Sequence, residues 1–106
     1  MSFSLNTLAS FKGGKTIKLM GSLLGEDVLI LIDCGATCSF IHYDLVRSLS
    51  LPLDFNVAFI VQIGDSRNVQ GRGVCRYISI TVQGLHITHS LYPFQLGGSD
   101  IILGAS

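Results

Sequence analysis

The sequence predicts an all-β domain with one short helix. Short runs rich in Val, Ile, Leu and Phe recur along the 106 residues, separated by clusters of Gly, Asp, Ser and Asn. Only one stretch carries apolar residues at helical spacing. A chain of this length is a single domain, 1–106, able to bury a core with a modest margin.

Each element follows in order. "TIKLMGSL" (16–23) roughly alternates, with Ile17 and Leu19 on one face and Lys18 on the other, and "LGED" (24–27) reads as a turn. "VLILI" (28–32) is a continuous run suited to a strand buried on both faces. A turn follows, then a short extended "SFI". "HYDLVRSLSL" (42–51) places apolar residues at 45, 46 and 49, which predicts the helix, closed by Pro52. "NVAFIVQI" (56–63) reads as a strand, "GDSRN" (64–68) as a turn and "VQGRGVC" as the return arm. "RYISITVQ" (76–83) alternates, Gly84 marks a turn, "HITHSLYPF" (86–94) is a strand, "LGGSD" a loop and "IIL" (101–103) a last short buried strand. Strands at this spacing with tight turns predict a small closed or sandwich-like β domain.

Composition narrows the function. The chain carries 7 Lys and Arg against 7 Asp and Glu, with 48% apolar residues. This balance lacks the basic face that nucleic acid requires and the polybasic patch that anionic membranes attract. No apolar run approaches the roughly 20 residues that span a bilayer. The N-terminus lacks the order of a secretion signal. Three cysteines in that context read as reduced thiols, which predicts a cytoplasmic location. The apolar surplus on so small a domain points to a covered surface, and hence to an oligomer.

The chemistry centres on Asp33. Five apolar residues run directly into this carboxylate, and the residues after it are small: Cys34, Gly35, Ala36. Burial disfavours an ionised carboxylate unless neighbours stabilise it. Small side chains let backbone amides and a ligand approach it closely. An Asp that merely opens a turn would look the same in isolation.

The wider pattern distinguishes the two. "LIDCGATCSFI" resembles the active-site segment of retropepsins, the aspartic proteases of retroviruses and retrotransposons, and within them the gypsy-type LTR retrotransposon branch or a host gene derived from one. Ile32, Asp33, Gly35, Ala36, Thr37, Phe40 and Ile41 match its pattern. "LSLPL" (49–53) is similar to the segment after the helix. "VQIGDSRNVQGRGVC" (61–75) looks like the flap hairpin, and "LYPFQLGGSDIILG" (91–104) like the closing segment with its apolar-apolar-Gly motif. "SLNTLA" (4–9) is similar to what precedes the first strand. The resemblance implies a retropepsin-like closed β domain with half a site per chain. It implies an aspartic endopeptidase working as a homodimer on an extended peptide or polyprotein, with no cofactor and no metal. It assigns catalysis to Asp33, the active-site loop to Cys34, Gly35, Ala36 and Thr37, the flap to Ile63, Gly64, Asp65, Ser66, Arg67 and Asn68, and loop support to Ile102, Leu103 and Gly104.

Two departures qualify that expectation. Cys34 stands where the family has Ser or Thr, and a thiol is a weaker donor than a hydroxyl. A looser carboxylate pair and a weaker dimer are expected from it, with a catalytically weak or inactive peptide-binding module as the alternative outcome. The chain also stops at "ILGAS", before the helix and terminal strand common in the family, and is expected to be truncated there. A competing reading takes Cys34, Cys38 and His42, spaced four apart, with Cys75 as zinc ligands. Only a continuous helix would align the first three, and the strand and glycine around them oppose one. His86 and His89 fall in a predicted strand and are expected to face solvent or an edge.

Overall fold

The computed structural model describes residues 2–5, 16–33, 36, 38–63 and 67–104, of which 2–5 and 63 by backbone alone. Eight strands and one helix occur among them: β1 (Ser2–Leu5), β2 (Thr16–Leu23), β3 (Glu26–Asp33), β4 (Ser39–His42), α1 (Tyr43–Ser48), β5 (Asp54–Ile63), β6 (Arg67–Val82), β7 (Leu85–Phe94) and β8 (Ile101–Gly104). They hydrogen-bond in the order β1-β5-β6-β2-β3-β8-β4-β7, and β7 returns to pair with β6. Six strands therefore close on themselves, and β5 with β1 extends from β6 as an arm. This is the closed, mostly-strand architecture that the pattern of short apolar runs predicts.

Two tight hairpins set the registers. Leu23 pairs with Glu26 across Leu24 and Gly25, at φ 50° and 82°, and Val82 pairs with Leu85 across Gln83 and Gly84, at φ 49° and 80°. Two left-handed residues in a two-residue loop define the turn whose twist matches the strands it joins. Glu26 and Asp27, read from sequence as turn, thus belong to the strand.

The central strands are buried on both faces. Val28 and Ile30 of β3 pack into a first core with Ile41, Val46, Cys75, Ile80, Leu91, Ile101 and Leu103. Leu31, on the opposite face, joins a second core with Phe40, Phe59, Val61, Phe94, Leu96 and Ile102. Strand alternation sends successive side chains to opposite faces, so one continuous apolar run feeds both cores. Ile17 keeps the alternation of β2 but is 55% exposed, whereas Leu19 is partly buried against the first core.

The helix is shorter than its apolar spacing suggests. His42 caps it, Nδ1 accepting the Asp44 amide at 3.1 Å. At the other end Ser50 turns left-handed at φ 49°, while the Leu51 amide donates to the Val46 carbonyl and the Ser50 amide to that of Arg47. That paired closure ends a helix before proline is reached. Val46 is buried, with Leu45 and Leu49 packed beside it against the first core.

Candidate active site

Asp33 is the last residue of β3, flanked by β2 and β8: Thr16 lies opposite it in the antiparallel pair and Gly104 in the parallel pair. It is 2% exposed. By alternation it lies on the same strand face as Leu31, the side of the second core. Its carbonyl accepts the Ala36 amide at 3.2 Å, which closes a four-residue turn immediately after the strand. The run of apolar residues thus ends in a carboxylate because the strand carries it to the edge of the packed interior and the chain then reverses.

The closing strand fits against that turn. Ile101, Ile102 and Leu103 are all buried, and Ile102 and Leu103 pair with Leu31 and Ile32 of β3. A Cβ on Gly104 would stand 2.7 Å from the Ala36 carbonyl oxygen and 2.8 Å from that of Cys38. Only glycine lets the backbone come this close. The Gly104 amide donates to Ser39 Oγ at 3.2 Å.

Asp100 ties the three strands around the site together. Its Oδ2 accepts the Leu29 amide at 2.8 Å, its own amide donates to the Leu29 carbonyl at 2.9 Å, and its carbonyl accepts the His42 amide at 2.9 Å. One residue in the bend just before β8 therefore bridges β3 and β4. Sequence reasoning placed Asp100 in a loop and passed over Ser39. A short polar residue directly before buried apolar residues, Phe40 and Ile41 in one case and Ile101 to Leu103 in the other, was the available signal for each.

The β5–β6 hairpin forms the arm on the second-core side. Its ladder runs from Ala58–Arg72 to Ile63–Arg67, so Arg67 and Asn68 continue the strand rather than the turn read from sequence. Phe59 is 2% exposed and packs edge-on against Tyr92, with ring centroids 5.3 Å apart, and near Phe94 at 6.5 Å. Phe59 sits across the ladder from Gly71, and a side chain at 71 would run into its ring. The glycine leaves room for the aromatic that fastens the hairpin onto the sheet. Tyr43, Ala58, Ile60, Gln70 and Arg72 line a shallow concavity between this arm and the first residue of the helix.

Of the residues expected to form the site, Asp33, Ala36, Ile102, Leu103 and Gly104 converge at one end of β3 and β8. Ile63, by its backbone, and Arg67 and Asn68 lie at the end of the hairpin. Cys34, Gly35, Thr37, Gly64, Asp65 and Ser66 lie outside the described residues. The helix that would align Cys34, Cys38 and His42 for zinc does not form, because Ser39–His42 is a strand. Among the described residues no group of three or more His, Cys, Asp or Glu is placed to hold a metal. Burial pushes the Cys75 thiol above its ordinary range, and burial with the neighbouring Cys38 raises the Tyr92 hydroxyl. No helix among the described residues is long and apolar enough to cross a membrane.

Comparison with known proteins agrees with this geometry. Residues 15–106 match the family described as retroviral aspartyl protease. Among solved structures, the retroviral protease-like domain of Ddi1 from Leishmania major is similar in fold, with a TM-score of 0.64 over 85% of this chain and 72% of that one at 18% identity. Comparison with curated proteins returns no match.

Proposed function

The chain belongs to the retroviral aspartyl protease family, and from that premise we propose that it is an endopeptidase in which the Asp33 carboxylates of two copies hydrolyse a peptide bond. The observation that carries this reading is the placement of Asp33: a buried carboxylate at the end of a doubly flanked strand, braced by Gly104 and followed by a tight turn.

Hydrolysis with water needs a base to take a proton and an acid to give one. A chain with one such carboxylate supplies half of that. Two copies related by a two-fold axis bring two Asp33 groups together, and like charges at close range share one proton between them. The ionised partner takes a proton from water, whose oxygen attacks the carbonyl carbon. The protonated partner gives its proton to the carbonyl oxygen. The tetrahedral diol then collapses, the C–N bond breaks, a proton passes to the leaving nitrogen, and the pair returns to its singly protonated state. Its titration belongs to the pair rather than to either residue, and an acidic to near-neutral optimum follows.

The remaining assignments follow from the family resemblance. Cys34, Gly35, Ala36 and Thr37 form the loop that presents Asp33, and Ile102, Leu103 and Gly104 support it. Residues Ile63 to Asn68 form the flap, whose backbone holds an extended peptide and whose closure excludes water. The substrate is a polyprotein such as a mobile element encodes, cut between apolar side chains. Cys34 favours a second reading, a peptide-binding and dimerising module with little turnover, since the thiol locks the loop less firmly than a hydroxyl.

Sedimentation and peptide cleavage separate these readings. A dimer that cleaves, and an Asp33→Asn variant that loses at least about 10³-fold in rate, are expected for the peptidase. Binding without cleavage by either form supports the module. Cleavage that survives Asp33→Asn refutes the assignment of Asp33.

A further inference from the structure

Ser39 opens β4, is 5% exposed, and accepts the Gly104 amide through its hydroxyl oxygen. The backbone ladder between β4 and β8 pairs Ile41 with Ile101 and Phe40 with Ile102, and Gly104 lies beyond it. The Gly104 amide has therefore run past the β4 backbone, and the Ser39 side chain takes over as acceptor. On the same stretch of chain the carbonyls of Ala36 and Cys38 close over Gly104, at 2.7 and 2.8 Å from where its Cβ would be. Gly104 is in turn the parallel ladder partner of Asp33. Loop, hydroxyl, glycine and carboxylate-bearing strand end thus form one connected unit.

We propose that Ser39 is a positioning residue for Asp33: its hydroxyl fixes the Gly104 backbone, and through the β3–β8 ladder it fixes where the Asp33 carboxylate stands. The consequence for cleavage rests on Asp33 being the catalytic acid; the consequence for geometry does not. A buried hydroxyl that only satisfies a stray amide would contribute to stability and nothing else. A positioning hydroxyl also governs the environment of Asp33. When it is removed, the amide loses its acceptor and the strand end is free to shift, and a misplacement on the order of 1 Å in a catalytic constellation costs up to about 10²-fold in rate.

The test compares the full chain with Ser39→Ala and Ser39→Thr. Two readouts need no turnover: hydrogen exchange at the Gly104 amide, and titration of the Asp33 carboxyl followed by NMR. Ser39→Ala is expected to speed Gly104 exchange by at least about tenfold, in line with loss of one buried hydrogen bond. It is also expected to displace the Asp33 titration and to lower kcat by about 10- to 100-fold with KM little changed. Ser39→Thr, which keeps the hydroxyl, is expected to restore all three. A Ser39→Ala protein that melts lower but keeps wild-type Gly104 exchange and Asp33 titration overturns the proposal, as does a Ser39→Thr protein that folds and behaves like the alanine variant. Should the wild-type chain show no cleavage that depends on Asp33, the peptidase reading falls, and exchange and titration still decide the role of Ser39.

Discussion

Replacing Gly104 with alanine tests the packing of the site directly. The added Cβ would meet two backbone carbonyl oxygens at 2.7 and 2.8 Å and the Cys38 carbonyl carbon at 3.2 Å. Ordinary contact begins near 3.4 Å, so the two oxygens must retreat by about 0.6–0.7 Å. Both belong to main chain on the turn after Asp33, and neither can rotate aside as a side chain would. Forcing extra volume into a packed region costs about 1–3 kcal/mol. The lower backbone entropy of alanine in the unfolded chain offsets roughly 0.4–1 kcal/mol of that. Mid-range values leave a net cost of about 1.3 kcal/mol; for a domain of this size 1 kcal/mol moves Tm by about 4–8 °C, so Gly104→Ala is expected to melt about 5–10 °C lower. Thermal unfolding by circular dichroism measures this. Gly97→Ala, where nothing lies within 4 Å, serves as the control and is expected to stay within about 0.5 kcal/mol of wild type. If both variants melt alike, the close approach of β8 to the loop does not constrain the site.

Phe59→Ala is expected to cost about 3–5 kcal/mol in urea unfolding, since it removes the ring that packs on Tyr92 and Phe94 and empties the second core; a loss under about 1 kcal/mol would mean that the hairpin is held by something else. The Arg76 guanidinium bonds Asp54 Oδ2 at 2.5 Å and, with the Asn56 amide, holds the Asp54 carboxyl below the usual carboxylate range. Its folded-state value lies under its unfolded one, so this pair contributes stability above about pH 4 that is lost as pH falls through the lowered value. Arg76→Ala is expected to flatten acid denaturation in that window, measured as Tm against pH. Tyr77 is 79% exposed and left-handed at φ 57°, a conformation that strains a bulky residue. Tyr77→Asn is expected to raise stability by roughly 0.5–1 kcal/mol in thermal melts, and destabilisation would show that the tyrosine ring holds the bulge.

The strands were legible because each carries its own periodicity, and Asp33 because a carboxylate after five apolar residues breaks that pattern. What escaped local reading depends on distant partners. β6 is a single strand of 16 residues, where the sequence reads as a glycine-containing return arm followed by a separate alternating strand from Arg76. Its continuity comes from β5 pairing with its first half and β7 with its second, neither of which adjacent residues encode. The helix stops early because Ser50 adopts a left-handed turn that a non-glycine residue does not announce. Ser39 looked like the polar start of a short extended piece and Asp100 like ordinary loop polarity. Their roles appear only when β8 is inserted between β3 and β4, bringing together residues 65 and 71 positions apart.

That same shared strand bears on how the hairpin and the carboxylate communicate. The first part of β6 pairs with β5 in the arm, and the rest closes the ring of strands through β7 and β2. Its register slips between Cys75 and Ile78, where Tyr77 turns left-handed, so the two parts meet at a bulge rather than along an unbroken ladder. A bulge lets a strand bend without breaking its pairing on either side. The arm is pinned on the near side of this point by Phe59, against the core that also receives Leu31, two residues before Asp33.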